Sequence, residues 1–288
     1  MVGLINPNWL FVCLDCATHL AEEVPKPERN IPIAICSTVA MAFVTAWSFA
    51  VAMFFSLYGD VSQLTDTATG VPFLALFYSV LTGRPGQFAG AIMLESLIFA
   101  CGFGCIVACH TWQSRLLWSF ARDGGLPFHK YLAKSNKKLD VPLRAHLVSS
   151  ALVAIVGLLY IGSSTAFNSM ITATIVLLYI SYAVPIASLL LKGRDNIRHG
   201  PFWLGKTGLF SDVVVLCWTL FTLVIFSFPY KMPATASDMN YVSVVYAVVG
   251  IIVAADWCLR GRKVYGHSEG EEKRRILEDV LKRRADST

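Results

Sequence analysis

Charge is what this sequence has least of. Only 15% of its 288 residues are Asp, Glu, Lys or Arg, against 55% hydrophobic, and its mean hydropathy is +0.58. Soluble domains carry about a quarter charged residues, so a soluble globular chain is excluded. Enzyme signatures are absent as well: there is no GxGxxG, Walker loop, HExxH or GxSxG. No catalytic, metal or cofactor site is therefore expected, and the chain does not read as an enzyme. No N-x-S/T acceptor is usable. The eight cysteines all fall within apolar stretches, so no external pair can form a structural disulfide. Cys13 and Cys16 make a CxxC, but the setting suits neither zinc nor thioredoxin chemistry. Cys101, Cys105 and Cys109 form a helical stripe and read as small packing residues. No lysine lies deep in an apolar run, which excludes a retinal Schiff base.

What is there is long apolar runs. Seven can be read, at 4–20, 33–57, 88–112, 146–162, 169–191, 209–228 and 241–259. A membrane-crossing helix needs roughly 20 such residues, and the runs lack the ten-residue alternation of barrel strands. The class is all-α, a polytopic membrane protein whose partner is the lipid bilayer. Residues 1–260 read as one membrane domain and 261–288 as a tail with a short charged helix, Ser268 and Glu271 forming its capping box. A signal peptide is not expected, because Asp15 interrupts the first run and no basic stretch precedes it. Between runs two and three, PFLALFYSVLTG is too short to span and reads as a helix on the external face.

Basic residues orient the bundle. The loops after runs one, three, five and seven hold 22 of the 24 lysines and arginines, leaving Arg84 and Lys231 on the other side. Positive residues mark the cytosolic side, so the first run goes from outside to inside and the C-terminus is cytosolic. This asymmetry accounts for the net charge of +5 without a nucleic-acid partner.

The first run is unusual. NPNWLFVCLD sets Pro7 among asparagines, and proline neither donates a backbone hydrogen bond nor favours helix at the residue before it. The run should be discontinuous within 6–14. Backbone groups freed inside a bilayer need partners, and broken helices of this kind build midplane substrate sites in secondary transporters. A kink between packed helices is the plainer alternative. Trp9 and Phe11 offer aromatic surface for a cationic head, or serve as interfacial packing. Asp15 can attract a cation, relay a proton, or cap the second half-helix. His19, Glu22 and Glu23 follow at helical spacing; they read as a cytosolic gate of ion pairs or as a solvated helix end. Glu95 is the second carboxylate inside a run, suited to proton coupling or to a structural hydrogen bond. His110 and His146 read as interfacial, and Asp212 and Asp256 as helix-end residues in reach of water.

NPNWLFVCLDCATHLAEEVPKPERNIPIAI resembles the sixth-helix motif of the amino acid–polyamine–organocation (APC) superfamily, with a closer likeness to its fungal amino acid/choline permease branch. SRLLWSFARDGGLPFHKYL is similar to the loop after that family's eighth helix, and YISYAVPIASLLL to its tenth. The resemblance covers nearly the whole chain. It implies a transporter with two inverted five-helix repeats, moving a small amine-bearing solute such as an amino acid, γ-aminobutyrate or choline by alternating access. It assigns Asn6, Trp9, Phe11, Val12, Cys13 and Asp15 to the substrate site, and Asp15, His19, Glu22, Glu23 and Glu95 to gating or proton coupling. Leu10 and Cys13 depart from the small Ser and Gly of the broad pattern. The implied membrane is the plasma membrane, and the fungal likeness favours proton symport without a bound cofactor. The seven runs correspond to family helices six to twelve, so the chain is expected to be a C-terminal portion that does not transport alone. A seven-helix receptor and a non-transporting membrane subunit are the competing classes. The missing external disulfide and the broken first run count against the receptor.

Overall fold

The computed structural model describes residues 2–57, 67, 71–136, 138–139, 141–197, 199–229 and 239–264. The described part is all-α. The helices are α1 (Ile5–Leu10), α2 (Pro27–Ser56), α3 (Pro72–Val80), α4 (Gln87–Arg122), α5 (His129–Leu132), α6 (Leu143–Gly162), α7 (Ser164–Lys192), α8 (Gly205–Ile225) and α9 (Val242–Asp256). A 3₁₀ stretch, Leu14–Leu20, links α1 to α2. Six helices are long and apolar enough to cross a membrane by length and composition: α2, α4, α6, α7, α8 and α9 with its extension to Val264. The tail helix expected beyond this point lies outside the described residues.

Local chemistry sets most helix ends. Pro27 and Pro72 open α2 and α3, where a missing amide costs nothing. Ser163 alone separates α6 from α7; its extended backbone turns the chain, and its hydroxyl accepts from the Ala166 amide at 3.2 Å. RDGGLP stops α4. The Gly125 amide reaches back to Phe120 O at 2.9 Å and the Gly124 amide to Ala121 O at 3.0 Å, with Gly124 at φ +78°. That is a Schellman cap, which needs a left-handed residue and so favours glycine. PFLALFYSVLTG forms the short helix α3 as expected, packed on α4. The fourth helix runs ten residues past the apolar run read as 88–112, because QSRLLWSFAR continues it as helix.

The core lies where α1 meets α7 and α8. Ile5, Ile175, Val176 and Phe226 form it, with Val12, Tyr179 and Tyr246 packed around them. α7 touches α6, α8 and α9, and α4 packs on α6. Ser169, Thr172 and Ala173 are buried along α7; small residues allow close backbone approach inside a membrane.

The first run breaks as expected, but Pro7 is not where it breaks. Pro7 sits in the first turn of α1, where its absent amide would have had no helical partner anyway. The interruption falls at Phe11–Cys13, where Cys13 takes the left-handed conformation at φ +64°, ψ +25°.

Candidate functional site

The break divides the first run into two pieces held by different neighbours. The first piece, α1, is held by Asn8. This side chain is 9% exposed. Its amide nitrogen donates to Leu4 O at 2.6 Å, and its carbonyl oxygen accepts from the Tyr179 hydroxyl of α7 and from Trp218 Nε1 of α8, the latter at 3.3 Å. An amide that fills its acceptor with two donors from two helices fixes both position and rotation of the half-helix. Asn8 was not among the expected site residues; its signal was the polar NPN triplet in an apolar run. Asn6, expected in the site, is exposed and lies outside this network.

The turn itself carries Trp9, Phe11, Val12 and Cys13. Trp9 is 41% exposed, Phe11 and Cys13 are half-buried, and Val12 packs on the core below the turn. Two residues further, the Asp15 carboxylate is partly buried. Oδ2 meets His19 Nε2 at 3.1 Å, while Oδ1 is buried without a hydrogen-bond partner. The Tyr182 hydroxyl of α7 comes up beside the same carboxylate. The thiols of Cys13, Cys16 and Cys109 lie around it. His19 stacks on Trp112 of α4, ring centroids 5.7 Å apart, and Trp112 Nε1 is also buried and unpartnered. The Asp15 carboxylate, with the Tyr182 hydroxyl at hand, and the Trp112 indole, beside the Cys109 thiol, flank a single imidazole. A buried polar group without a partner is costly. Among the described residues no cluster of three or more His, Cys, Asp and Glu side chains is arranged to hold a metal.

Ahead of α2, Glu22 and Glu23 stay exposed and pair with two arginines of α4. Arg115 clamps Glu23 bidentately at 2.5 and 2.9 Å, and Arg122 clamps Glu22 at 2.5 and 3.1 Å. Paired donors in a fixed fork match a carboxylate's two oxygens. The Arg122 guanidinium holds the Glu22 carboxyl below the usual carboxylate range, and it also lies 4.9 Å over the Trp118 ring. These contacts line a cavity of about 340 Å³ together with Thr18, His19 and Asp123. The arginines were missed in the sequence reading because only the fold brings them across about a hundred residues.

Glu95 sits well inside α4, and its Oε2 is buried with no partner; it is not gathered with the Asp15 cluster. A larger cavity of about 710 Å³ opens between α4 and α6 beside His110 and His146, whose rings meet edge-on at 5.6 Å. It lies apart from the break and has no carboxylate on its wall. Asp212 and Asp256, expected to be solvated, instead hold Arg194 and Arg260.

A model of the amino acid permease family matches residues 1–252. The chain belongs to this family. The permease chain is 50% identical over 272 residues to a choline transporter of Saccharomyces cerevisiae, covering 94% of this chain and 47% of that protein. It is 38% identical to the 7-keto 8-aminopelargonic acid transporter of the same yeast, covering 88% and 48%. It is 28% identical to the amino-acid permease BAT1 of Arabidopsis thaliana, covering 91% and 51%. The permease chain thus spans about half the length of the curated relatives it matches. No solved structure matches it. Family and helices together make it an integral membrane protein.

Proposed function

We propose that these residues serve a secondary transporter of small amine-bearing solutes, amino acids, choline or related cations, working by alternating access. The observation that carries this reading is the Asp15 carboxylate. It lies two residues past a broken helix, half-satisfied by His19, with one oxygen buried and unmet. A carboxylate with acceptor capacity, a few residues after the aromatic surface of Trp9 and Phe11, suits an ammonium head. The relatives support the same class, since choline and an amino acid such as 7-keto 8-aminopelargonic acid both carry a cationic nitrogen. Trp9, Phe11, Val12, Cys13 and Asp15 form the substrate wall in this reading. Asn6 keeps a place only at its outer rim.

Glu22 and Glu23, clasped by Arg122 and Arg115, act as the cytosolic gate, and His19 links gate to site. Glu95 and the Asp15–His19 pair are the groups for proton coupling. In this reading the C-terminus is cytosolic, as the distribution of basic residues favours, and the plasma membrane is the membrane that the family resemblance implies. The test is competition for radiolabelled choline uptake by γ-aminobutyrate and basic amino acids in cells that express the chain joined to the first five family helices. Asp15→Asn is expected to lower uptake by about tenfold or more, the cost of removing one side of a desolvated charge contact. Unchanged uptake by that variant overturns the substrate wall. An uptake rate insensitive to pH overturns proton coupling.

A further inference from the structure

We propose that Arg260 is a positioning residue for the cytosolic gate, clasping the end of α4 so that Arg115 and Arg122 stay in register with Glu23 and Glu22. The inference rests on the gate reading above and adds to it the last helix of the chain. Its starting point is the Schellman cap of α4. Such a cap satisfies the last turn's carbonyls internally, which leaves the carbonyls of Gly124 and Gly125 themselves to find donors. Both are met by one side chain. Arg260 Nη1 donates to Gly124 O at 2.6 Å, and Nη2 donates to Gly125 O at 2.8 Å. Asp256 holds the same guanidinium from the other side, through Nε at 3.0 Å and Nη2 at 2.9 Å. The fork is thus oriented by one carboxylate and used on two carbonyls, an arrangement the point charge of a lysine cannot copy.

The backbone is shaped for this contact at both ends. Past Asp256 the helix widens into a π turn, Trp257–Gly261. Insertions of that kind rotate the following side chains relative to the regular helix, and this one carries Arg260. On the other side, a Cβ on Gly124 would lie 2.7 Å from Val264 Cγ1, so the approach requires glycine for space as well as for its positive φ. The two glycines of RDGG therefore serve the cap and the clasp together.

Arg122 is two residues before Gly124, and Arg115 is two turns earlier on the same rigid helix. Fixing the α4 terminus fixes the height and rotation of both guanidiniums. Trp118, between them, donates to Ala133 O at 2.9 Å and closes the loop that follows. The α4 end is consequently held between the segment after the break and the end of α9. Loosening either side should loosen the other.

The experiment is hydrogen–deuterium exchange on the full chain in detergent, reading peptides over 18–26 and 123–126, with Arg260→Gln, the double variant Glu22→Gln/Glu23→Gln, and all three changes combined. Arg260→Gln should raise exchange at 18–26, which it does not touch, by at least about threefold, and the combined variant should add less than the sum of the two effects. Arg260→Lys should fall between wild type and Arg260→Gln, and it carries the same test if the glutamine variant does not fold. Faster exchange at 123–126 with no change at 18–26 overturns the proposal, as do strictly additive effects. Failure of the gate reading looks different: the Glu22→Gln/Glu23→Gln pair then leaves both exchange at 18–26 and uptake unchanged, whatever Arg260→Gln does.

Discussion

Helices α2 and α7 are matched in length and apolar character, yet only one of them is packed. α2, with 30 residues, has no buried residue. α7, with 29, buries Ser169, Thr172, Ala173, Ile175 and Val176. The difference is in side-chain size and polarity along the contact face. α7 presents small and hydroxylated residues where α6, α8 and α9 come close, together with Tyr179 as a hydrogen-bond donor to Asn8. α2 presents Phe43, Trp47, Phe54 and Phe55 outward, and its contacts are at its two ends, to the 3₁₀ stretch and through Phe49 to Phe73 of α3. Hydropathy thus reports that a segment can enter a bilayer, where lipid is as apolar as a leucine side chain. Packing against another helix is decided by small residues and polar contacts.

Four substitutions sharpen that contrast, each read as a shift in unfolding free energy in detergent. Phe226→Ala removes a fully buried ring from the α7–α8 contact and should cost about 3–5 kcal/mol. Asn8→Leu strands the Tyr179 hydroxyl and Trp218 indole donors and should cost about 1–3 kcal/mol. A near-neutral result would mean that α1 is held to α7 by apolar contact alone. Glu22→Gln breaks the exposed Arg122 pair that ties the entry of α2 to α4 and should cost at most about 1 kcal/mol, less in high salt. Because the Glu22 carboxyl is held below its ordinary value, the pair's contribution is present above the unfolded carboxylate pKa. It is lost as pH falls through the lowered folded value, so wild type and Glu22→Gln should converge in strong acid. Phe55→Ala, on a residue 89% exposed on α2, should stay within about 0.5 kcal/mol. A cost like that of Phe226→Ala would erase the distinction between the two helices.

The same contrast marks how far sequence reading reaches. Apolar segments and class follow from composition and spacing, which act locally and so are visible in one dimension. The short helix opened by Pro72 was legible for the same reason, because proline punctuates the chain wherever it falls. The break was legible and its cause was not: Pro7 drew attention, while the left-handed turn sits at Cys13, a residue type with no special preference for it. Asp15 and His19 were legible as a helical pair. The partners of Glu22 and Glu23 were hidden, since nothing in local pattern links a glutamate to an arginine on another helix. The roles of Asp256 and Arg260 were hidden too, because the carbonyls they serve exist only once α4 is capped.

The turn at Cys13 limits which residues that position will accept. Its φ of +64° crowds any side chain against the following carbonyl, and branching at Cβ makes the crowding worse. In a library of all twenty residues at this site, glycine and asparagine should survive. Valine, isoleucine and threonine should be lost, although the surroundings are apolar and two of the three are among the most hydrophobic residues available. The position would then be selected by backbone shape, and its chemistry toward a solute would be chosen from the short set of side chains that shape permits.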